Sequence, residues 1–382
     1  MSTENIEFVA GRQDLVRCLE RVVPAAADPG KAPHLTHVLL EAEAGGMVRL
    51  SATNLEIRLA TGMAATVASP GAIGLPAKTM LEAVRSLSGD EVAVVGGITS
   101  ARLRSGQRSF HLAGLHAEDF PASADLPVDL HRICAVDLRD LVQETGHAMC
   151  REEDLRPRLA GALLEIGAGR MGMVATDGSR LAWAWKDCPG ASAGRFLLPH
   201  RAVAVLGELC RDLLSGEGPP PVLEMGAKDR RVFFVWIPPP GDGPRTVLTT
   251  VQMEDGFPAW RQAIPGEAIR RVRVPRLRLL ETLQVLAVLA DDRMDSTSLA
   301  VGGRSLVVSL DKEGRGAFRD VVDAETTGPG LVVGVDRRYL VGMLEAIRAD
   351  EVLLGFGEAL DPLKITPAGA DGFVGVIMPR RL

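Results

Sequence analysis

The sequence FLLPHRAVAVLGELC, residues 196–210, combines an apolar strand, a break at Pro199 and apolar positions at helical spacing. The same order occurs in IGLPAKTMLEAVRSL at 73–87 and in LVVGVDRRYLVGMLEAI at 331–347. An ordered set of signals that returns at a near-constant spacing indicates an internal repeat. These stretches therefore predict three copies of one unit. In each copy a basic residue follows the break by two positions: Lys78, Arg201 and Arg337.

Three further signals recur in the same order within each copy. A short strand leads into a helix, a Gly-centred hairpin follows, and a strand closes the copy. The distance from Pro76 to Pro199 is 123 residues, and the third break lies 136 residues further on. The strand that leads into a helix is found at 6–23, 133–149 and 269–290. The hairpins are found at 38–52, 163–175 and 298–310. The closing strands precede DFP (119–121) and GFP (256–258) and, in the third copy, run into IMP (377–379).

The repeat predicts an α+β fold in which each copy contains two helices and seven or eight strands. Asp14 and Asp140 stand where the N-caps of the first helices are expected. The loop PPPGDGP, 238–244, is the predicted insertion of the second copy, and FVGVIMPRRL, 373–382, is the predicted closing strand of the third. A chain of 382 residues is long enough for three domains. We place them at residues 1–128, 129–265 and 266–382.

Composition narrows the class of protein. Hydrophobic residues make up 46% and charged residues 24%, and no apolar run approaches the roughly 20 residues of a membrane span. The sequence MSTENIEFVAGRQD lacks a signal-peptide pattern, so we expect a cytoplasmic protein without membrane contact. The five cysteines include no CxxC pair, which argues against disulfides and a structural zinc site. The net charge of −6 still allows a nucleic-acid binder with segregated charges.

Two patterns suggest an enzyme, and each has a simpler interpretation. GAGRMG, 167–172, fits the dinucleotide fingerprint, but a strand follows where the fingerprint needs a helix. The acidic clusters at 151–154 and 291–295 suggest a divalent metal, yet charged loops are expected there and no helical carboxylate pair completes a site. The sequence contains no nucleophile elbow and no P-loop. We therefore expect no catalytic residues, no metal and no cofactor.

The repeated basic residues allow two interpretations. If the repeated helices face a common side, Lys78, Arg201 and Arg337 form a positive lining suited to phosphates, whatever the nucleotide sequence. Alternatively, each is an ordinary solvated helix position. The residues alone leave both possibilities open.

Four segments resemble the bacterial DNA polymerase III beta subunit, the replication sliding clamp. They are KAPHLTHVLLEA at 31–42, VATDGSRLAWA at 174–184, EDGFPAWRQAIP at 254–265 and VIMPRRL at 376–382. The last is similar to the MPxRL ending of that family, and the resemblance covers the whole chain. It implies three tandem DNA-clamp domains per chain and a head-to-tail homodimer that forms a six-domain ring, with helices lining the pore.

The resemblance also implies a function. A ring of this kind encircles double-stranded DNA without reading its sequence, and tethers DNA polymerase and other replication or repair proteins as a non-catalytic processivity factor. The implied partners are the DNA polymerase III alpha subunit, the clamp loader and other proteins with a clamp-binding motif. The alternative within the same fold is a paralogous clamp specialised for repair or for resistance to a clamp-directed inhibitor.

The resemblance carries family sites onto this sequence. A partner-peptide cleft that accepts Gln, Leu and Phe anchors is implied at Leu159, Thr176, Gly178, Arg180, Leu181, Pro258, Ala263, Tyr339, Leu360, Val376, Met378, Pro379 and Arg381. DNA-facing residues are implied at Lys31, Lys78, Arg151, Arg156, Arg201 and Arg337, and a dimer interface at Phe110, Leu112, Val288 and Leu289. The sequence departs from the family pattern near the cleft at Ser179, Gln262, Pro362 and Arg380.

Overall fold

The chain forms two compact units in the computed structural model. The structure describes residues 5–28, 30, 32–150, 156–216, 220–240, 243–254, 256–290 and 296–382. Unit one comprises the described residues of 1–138 and 204–252, and unit two those of 139–203 and 253–382. Lys31, Arg151 and the acidic clusters at 151–154 and 291–295 lie outside the described residues.

The elements follow the three predicted copies. The first contains β1 (Ile6–Gly11), α1 (Arg12–Val22), β2 (His37–Glu43), β3 (Met47–Thr53), β4 (Ile57–Ala64), β5 (Thr66–Ser69), β6 (Gly71–Pro76), α2 (Ala77–Ser86), β7 (Glu91–Gly96), β8 (Ser100–Ser105) and β9 (Arg108–Ala113). The second contains β10 (His131–Ile133), α3 (Ala135–Thr145), β11 (Gly161–Gly167), β12 (Arg170–Thr176), β13 (Arg180–Asp187), β14 (Gly194–Pro199), α4 (His200–Leu213), β15 (Val222–Lys228), β16 (Arg231–Ile237) and β17 (Thr246–Val251). The third contains β18 (Arg270–Pro275), α5 (Arg276–Leu286), β19 (Ser296–Gly302), β20 (Ser305–Lys312), β21 (Gly316–Asp323), β22 (Glu325–Thr327), β23 (Leu331–Asp336), α6 (Arg337–Ala346), β24 (Glu351–Phe356), β25 (Leu363–Pro367) and β26 (Phe373–Ile377).

Each unit contains two sheets of antiparallel strands. Unit one has a five-stranded sheet, β5-β1-β7-β8-β9, and an eight-stranded sheet, β10-β15-β16-β17-β4-β3-β2-β6. Unit two has a nine-stranded sheet, β14-β11-β12-β13-β26-β25-β24-β18-β22, and a four-stranded sheet, β21-β20-β19-β23. The order β1-β7-β8-β9 recurs as β10-β15-β16-β17 and as β18-β24-β25-β26. The predicted threefold repeat is therefore present in the strand order.

The helices bury one face against the sheets, as their sequence periodicity predicts. On α1 the buried side chains include Leu15, Leu19 and Val22, each fully buried. Burying a leucine or valine side chain contributes about 1.5–3 kcal/mol. On α6 the equivalent face carries Leu340 and Leu344, also fully buried. This packing fixes the first turn of α6, which contributes to the candidate site.

The three hairpins form as predicted, and FVGVI closes the third copy as β26. GAGRMG is the turn between β11 and β12, with Ala168 and Gly169 at positive φ, so a strand follows it. The predicted strand number is one too low for the first and third copies, which each have nine described strands. The additional strands, β5 and β22, are short edge strands paired with β1 and β18.

The predicted N-caps are wrong. Helix α1 begins at Arg12 after Gly11, so Asp14 lies in its first turn and caps nothing. Helix α3 begins at Ala135, which places Asp140 in the middle of the helix. There its carboxylate accepts hydrogen bonds from Arg139 and Arg348, which hold the pKa of Asp140 below its usual value although burial opposes that shift.

None of the described helices is long and apolar enough to cross a membrane. Within the described ranges no three His, Cys, Asp or Glu side chains are grouped closely enough to hold a metal ion.

Candidate functional site

A large cavity of unit two lies beside the turn that joins β12 and β13. Its volume is about 720 Å³, and both polar and apolar side chains line it. The lining residues come from the segments that follow α3, from the β12–β13 turn and from α6. They are His147, Met149, Cys150, Arg156, Asp177, Ser179, Arg180, Arg337, Arg338, Tyr339, Val341, Gly342 and Glu345.

The β12–β13 turn is held by its own side chains. The carboxylate of Asp177 accepts hydrogen bonds from the backbone N–H groups of Ser179 (2.9 Å) and Arg180 (3.0 Å). The Thr176 hydroxyl donates to the Arg180 carbonyl at 2.6 Å. Gly178 has φ +86°, and a Cβ there would lie 2.8 Å from Nη1 of Arg156. The TDG sequence therefore specifies a rigid turn that only glycine fits at its third position.

Arg180 is the centre of the cavity wall. Its Nε donates to Asp177 Oδ2 at 3.0 Å, and the two side chains are only 14% and 15% exposed. Its guanidinium carbon lies 4.5 Å from the centroid of the Tyr339 ring. A cation over an aromatic face gains electrostatic attraction that grows when the pair is shielded from water. Tyr339, the only tyrosine of the chain, is thereby held beside the β12–β13 turn.

The closing strand of the third copy forms the neighbouring wall. In the pairing of β13 with β26, Leu181 lies opposite Val376. Beyond the strand, the N–H of Met378 donates to the Ser179 carbonyl at 2.8 Å. Leu181 and Val376 are 3% and 2% exposed and belong to a core cluster with Trp260. They belong to the core, whereas Met378 is 46% exposed and available for contact.

Of the thirteen predicted cleft residues, Arg180 and Tyr339 line the cavity. Four more lie at the adjoining β12–β13 turn without lining the cavity: Leu159, Thr176, Gly178 and Met378. The remaining seven do not line it either: Leu181, Pro258, Ala263, Leu360, Val376, Pro379 and Arg381. Leu360 is 65% exposed at the end of a turn. The role of all these residues in a cleft stays a prediction.

His147 belongs to the cavity wall, although no sequence motif points to it. Both ring nitrogens are buried and have no hydrogen-bond partner among the described residues. Burial, assisted by the positive charge of Arg180, lowers the pKa of His147 to about 4. Gly342 of α6 makes room for the ring, since a Cβ there would lie 3.0 Å from Nδ1. His147 is therefore neutral at pH 7.

The corresponding junction in unit one carries an arginine. By strand register Arg58 of β4 occupies the position that Leu181 occupies in β13. Its guanidinium donates to the carbonyls of Pro121 and Ala122 and lies 5.3 Å from the Phe120 ring centroid. Burial lowers the pKa of Arg58. Arg58 lines two cavities here, with volumes of about 60 Å³ and about 610 Å³.

Three of the predicted DNA-facing residues lie in the first turns of helices. Lys78 and Arg201 are the second residues of α2 and α4, and Arg337 is the first residue of α6. The second residue of α6, which corresponds to Lys78 of α2, is therefore Arg338. Cations are electrostatically unfavourable at a helix N-terminus, so their recurrence there favours a role outside helix stability. Arg156 instead donates to the Asp177 carbonyl. That these residues contact DNA stays a prediction.

The predicted dimer residues divide into exposed and buried positions. On β9, an edge strand of unit one, Phe110 is 36% exposed and Leu112 is 8% exposed. After α5, Val288 is 86% exposed, whereas Leu289 is partly buried. Leu112 thus contributes mainly to the interior of its own unit, and Phe110 and Val288 present apolar surface.

Comparisons with known proteins agree on one family. Residues 6–124 match the family described as DNA polymerase III beta subunit, N-terminal domain, and residues 261–381 match its C-terminal domain. A beta sliding clamp from Synechococcus elongatus is 28% identical over 388 residues, covering 99% of this chain and 100% of that protein. A beta sliding clamp from Escherichia coli K12 is 25% identical with the same coverage.

Solved structures show the same fold. The sliding clamp of Bartonella birtlesii, DNA polymerase III subunit beta bound to griselimycin, superposes with a TM-score of 0.90 at 24% identity. That match covers 99% of this chain and 100% of the other. The beta subunit of Thermotoga maritima gives a TM-score of 0.88 at 20% identity, with the same coverage. With the threefold repeat and full-length coverage, this chain belongs to the DNA polymerase III beta subunit family.

Proposed function

We propose that this chain is a DNA sliding clamp: two copies close into a ring around duplex DNA and tether DNA polymerase and other replication or repair proteins. The proposal rests on family membership and on relatives named beta sliding clamp. The three copies act as clamp domains at 1–128, 129–265 and 266–382. The clamp catalyses no reaction and works in the cytoplasm.

The observation that carries the ring is a pairing rule in the sheets. The last strand of the second copy, β17, pairs with β4 of the first copy, and the last strand of the third copy, β26, pairs with β13 of the second. Each is an antiparallel pair of equivalent strands. Among the described strands, the two remaining equivalents, β9 and β21, have one neighbour each. Pairing β9 with β21 of a second chain, twice, closes a homodimeric ring of six domains.

The same rule gives the register of the contact between chains. Leu248 of β17 lies opposite Leu59 of β4, and their equivalents in β26 and β13 are likewise opposite each other. Carried to the third pair by strand register, the rule places Phe110 of β9 opposite Phe318 of β21. An aromatic cross-strand pair stabilises a sheet by up to about 1 kcal/mol. Leu112, Val288 and Leu289 lie at the borders of this interface.

DNA would pass through the ring without being read. Lys78, Arg156, Arg201 and Arg337, together with Lys31 and Arg151, supply positive charge for phosphate contact, which is independent of sequence and weakened by salt. The formal charge of −6 implies that the rest of the surface is acidic, so positive charge is concentrated where it is used. Loose contacts of this type allow sliding.

The cavity beside Arg180 and Tyr339 is the proposed partner cleft. Its occupant is a short extended peptide with Gln, Leu and Phe anchors, carried by the DNA polymerase III alpha subunit, the clamp loader and other partners. Such a peptide typically binds with a Kd of about 1 μM, which corresponds to about −8 kcal/mol.

The proposed cleft can be tested with a fluorescein-labelled peptide carrying these anchors. Deleting residues 378–382 should abolish binding while sedimentation still shows a dimer, because β26 ends at Ile377 and the dimer strands are elsewhere. Met378→Ala should weaken binding, since this side chain is half exposed beside the β12–β13 turn. Unchanged affinity in the truncated protein would show that the cleft lies elsewhere.

A further inference from the structure

The segment after β26 is attached to α6 by one side chain. Nη2 of Arg380 donates to Oδ2 of Asp336 at 2.7 Å. The Asp336 side chain is 3% exposed and that of Arg380 30% exposed, so the ion pair is largely shielded from solvent. Charge-assisted hydrogen bonds of this kind are shorter and stronger than neutral ones.

The backbone of Arg380 makes a second attachment. Its N–H donates to the carbonyl of Gly334 on β23 at 2.8 Å, forming an isolated antiparallel bridge. A Cβ on Gly334 would lie 2.5 Å from the Arg380 carbonyl oxygen. Glycine at 334 is therefore required for the segment to lie this close to β23.

Asp336 also fixes the start of α6. Its Oδ1 accepts a hydrogen bond from the N–H of Arg338 at 2.9 Å, which makes Asp336 the N-cap of the helix. Tyr339 is the third residue of that helix, and the Arg180 guanidinium lies over its ring. The same carboxylate therefore holds both Tyr339 and the segment that begins at Met378.

We propose that Arg380 is a positioning residue for the partner peptide: its ion pair with Asp336 holds Met378 and Pro379 in place against the turn at Ser179 before a peptide arrives. This inference rests on the proposed peptide cleft. Without the ion pair, the segment keeps its backbone hydrogen bonds to the described residues, from Met378 to Ser179 and from Arg380 to Gly334. The binding peptide then has to order it, and an unordered wall lowers affinity.

The fold tolerates the loss of Arg380. Asp336 keeps Nη2 of Arg338 at 3.0 Å and Nε at 3.3 Å, so the buried carboxylate is not left without a cation. Arg380→Met removes only the attachment, and Arg380→Lys keeps a charge that reaches the same carboxylate. Arg304→Met is a matched control, because Arg304 is exposed in the β19–β20 turn of the same unit.

The test measures binding of the labelled anchor peptide by full-length protein. Arg380→Met should bind about tenfold more weakly, a change of about 1.4 kcal/mol, with Arg380→Lys restoring most of the affinity and Arg304→Met unchanged. Hydrogen exchange of the free protein should show faster exchange at the amides of Met378 and Arg380 in Arg380→Met. If Arg380 only stabilised the fold in general, the faster amide exchange in Arg380→Met would extend beyond this segment.

Two results separate this inference from the function it rests on. If the wild-type protein binds the peptide and Arg380→Met binds equally well, or if amide exchange at 378–382 is unchanged, the positioning role is wrong and the cleft stands. If the wild-type protein does not bind the peptide, the cleft is wrong and the inference is wrong with it.

Discussion

Replacing His147 by leucine should remove much of the pH dependence of stability in unit two between pH 6.5 and 4. In the folded chain burial lowers the pKa of His147 from 6.5 to about 4. Within that window the unfolded state binds a proton that the folded state does not, so stability falls as pH falls. A difference of about 2.5 pKa units corresponds to about 3 kcal/mol, and that stabilisation is fully present above pH 6.5.

Neighbouring carboxylates require a comparison between variants. The pKa values of Asp140 and Asp336 are lowered, so their contributions are lost at lower pH, as each carboxylate becomes protonated. Burial raises the pKa of Glu144, which acts in the opposite direction from His147. These contributions remain in His147→Leu, so the difference between the two proteins isolates the imidazole.

The assay is urea unfolding of the full chain at pH 7, 6, 5 and 4.5, followed by tryptophan fluorescence. Three of the four tryptophans, Trp183, Trp185 and Trp260, lie in unit two and report on its unfolding. His34→Leu in unit one is the control and should leave the pH slope of unit two unchanged. Equal pH slopes for wild type and His147→Leu would refute the burial of a neutral imidazole.

Two further predictions concern the interface and the cleft. Phe110→Asp or Phe318→Asp should convert the dimer to monomers, because each substitution places a carboxylate in the proposed aromatic pair. Sedimentation velocity at micromolar protein concentration measures this change. A dimer in both variants would contradict the proposed register. Tyr339→Ala should weaken peptide binding by about 0.5–2 kcal/mol, because the contact between the aromatic ring and Arg180 is lost. Tyr339→Phe keeps the ring and should bind the peptide like the wild type in calorimetry. Equal losses of affinity in the two variants would assign the effect to the hydroxyl.

The repeat and its hairpins could be predicted because local patterns carry them. The glycines between apolar runs, and the recurrence of the break at Pro76 in the second copy at Pro199, can be recognised without tertiary information. The edge strands β5 and β22 could not be found in this way, because they are only four and three residues long and lack a buried face. Their pairing depends on β1 and β18, which are distant in sequence.

The site was predictable where its determinants are local. The TDG turn specifies Thr176, Asp177 and Gly178 within three residues. Local sequence predicts Asp140 as an N-cap, whereas its carboxylate in fact pairs with Arg348, which is 208 residues away in the chain. The buried state of His147 likewise depends on Gly342 of a distant helix. Such long-range contacts need the structure.

A chain that holds DNA by encircling it should be retained on circular DNA and lost from linear DNA, and this difference can be measured directly. Protein assembled on a nicked plasmid by a clamp loader is separated from free protein by gel filtration, and the plasmid is then cut once with a restriction enzyme. A ring stays with the circle and leaves within minutes of linearisation, even at salt concentrations that weaken phosphate contacts. Equal loss from circular and linear plasmid would contradict the account.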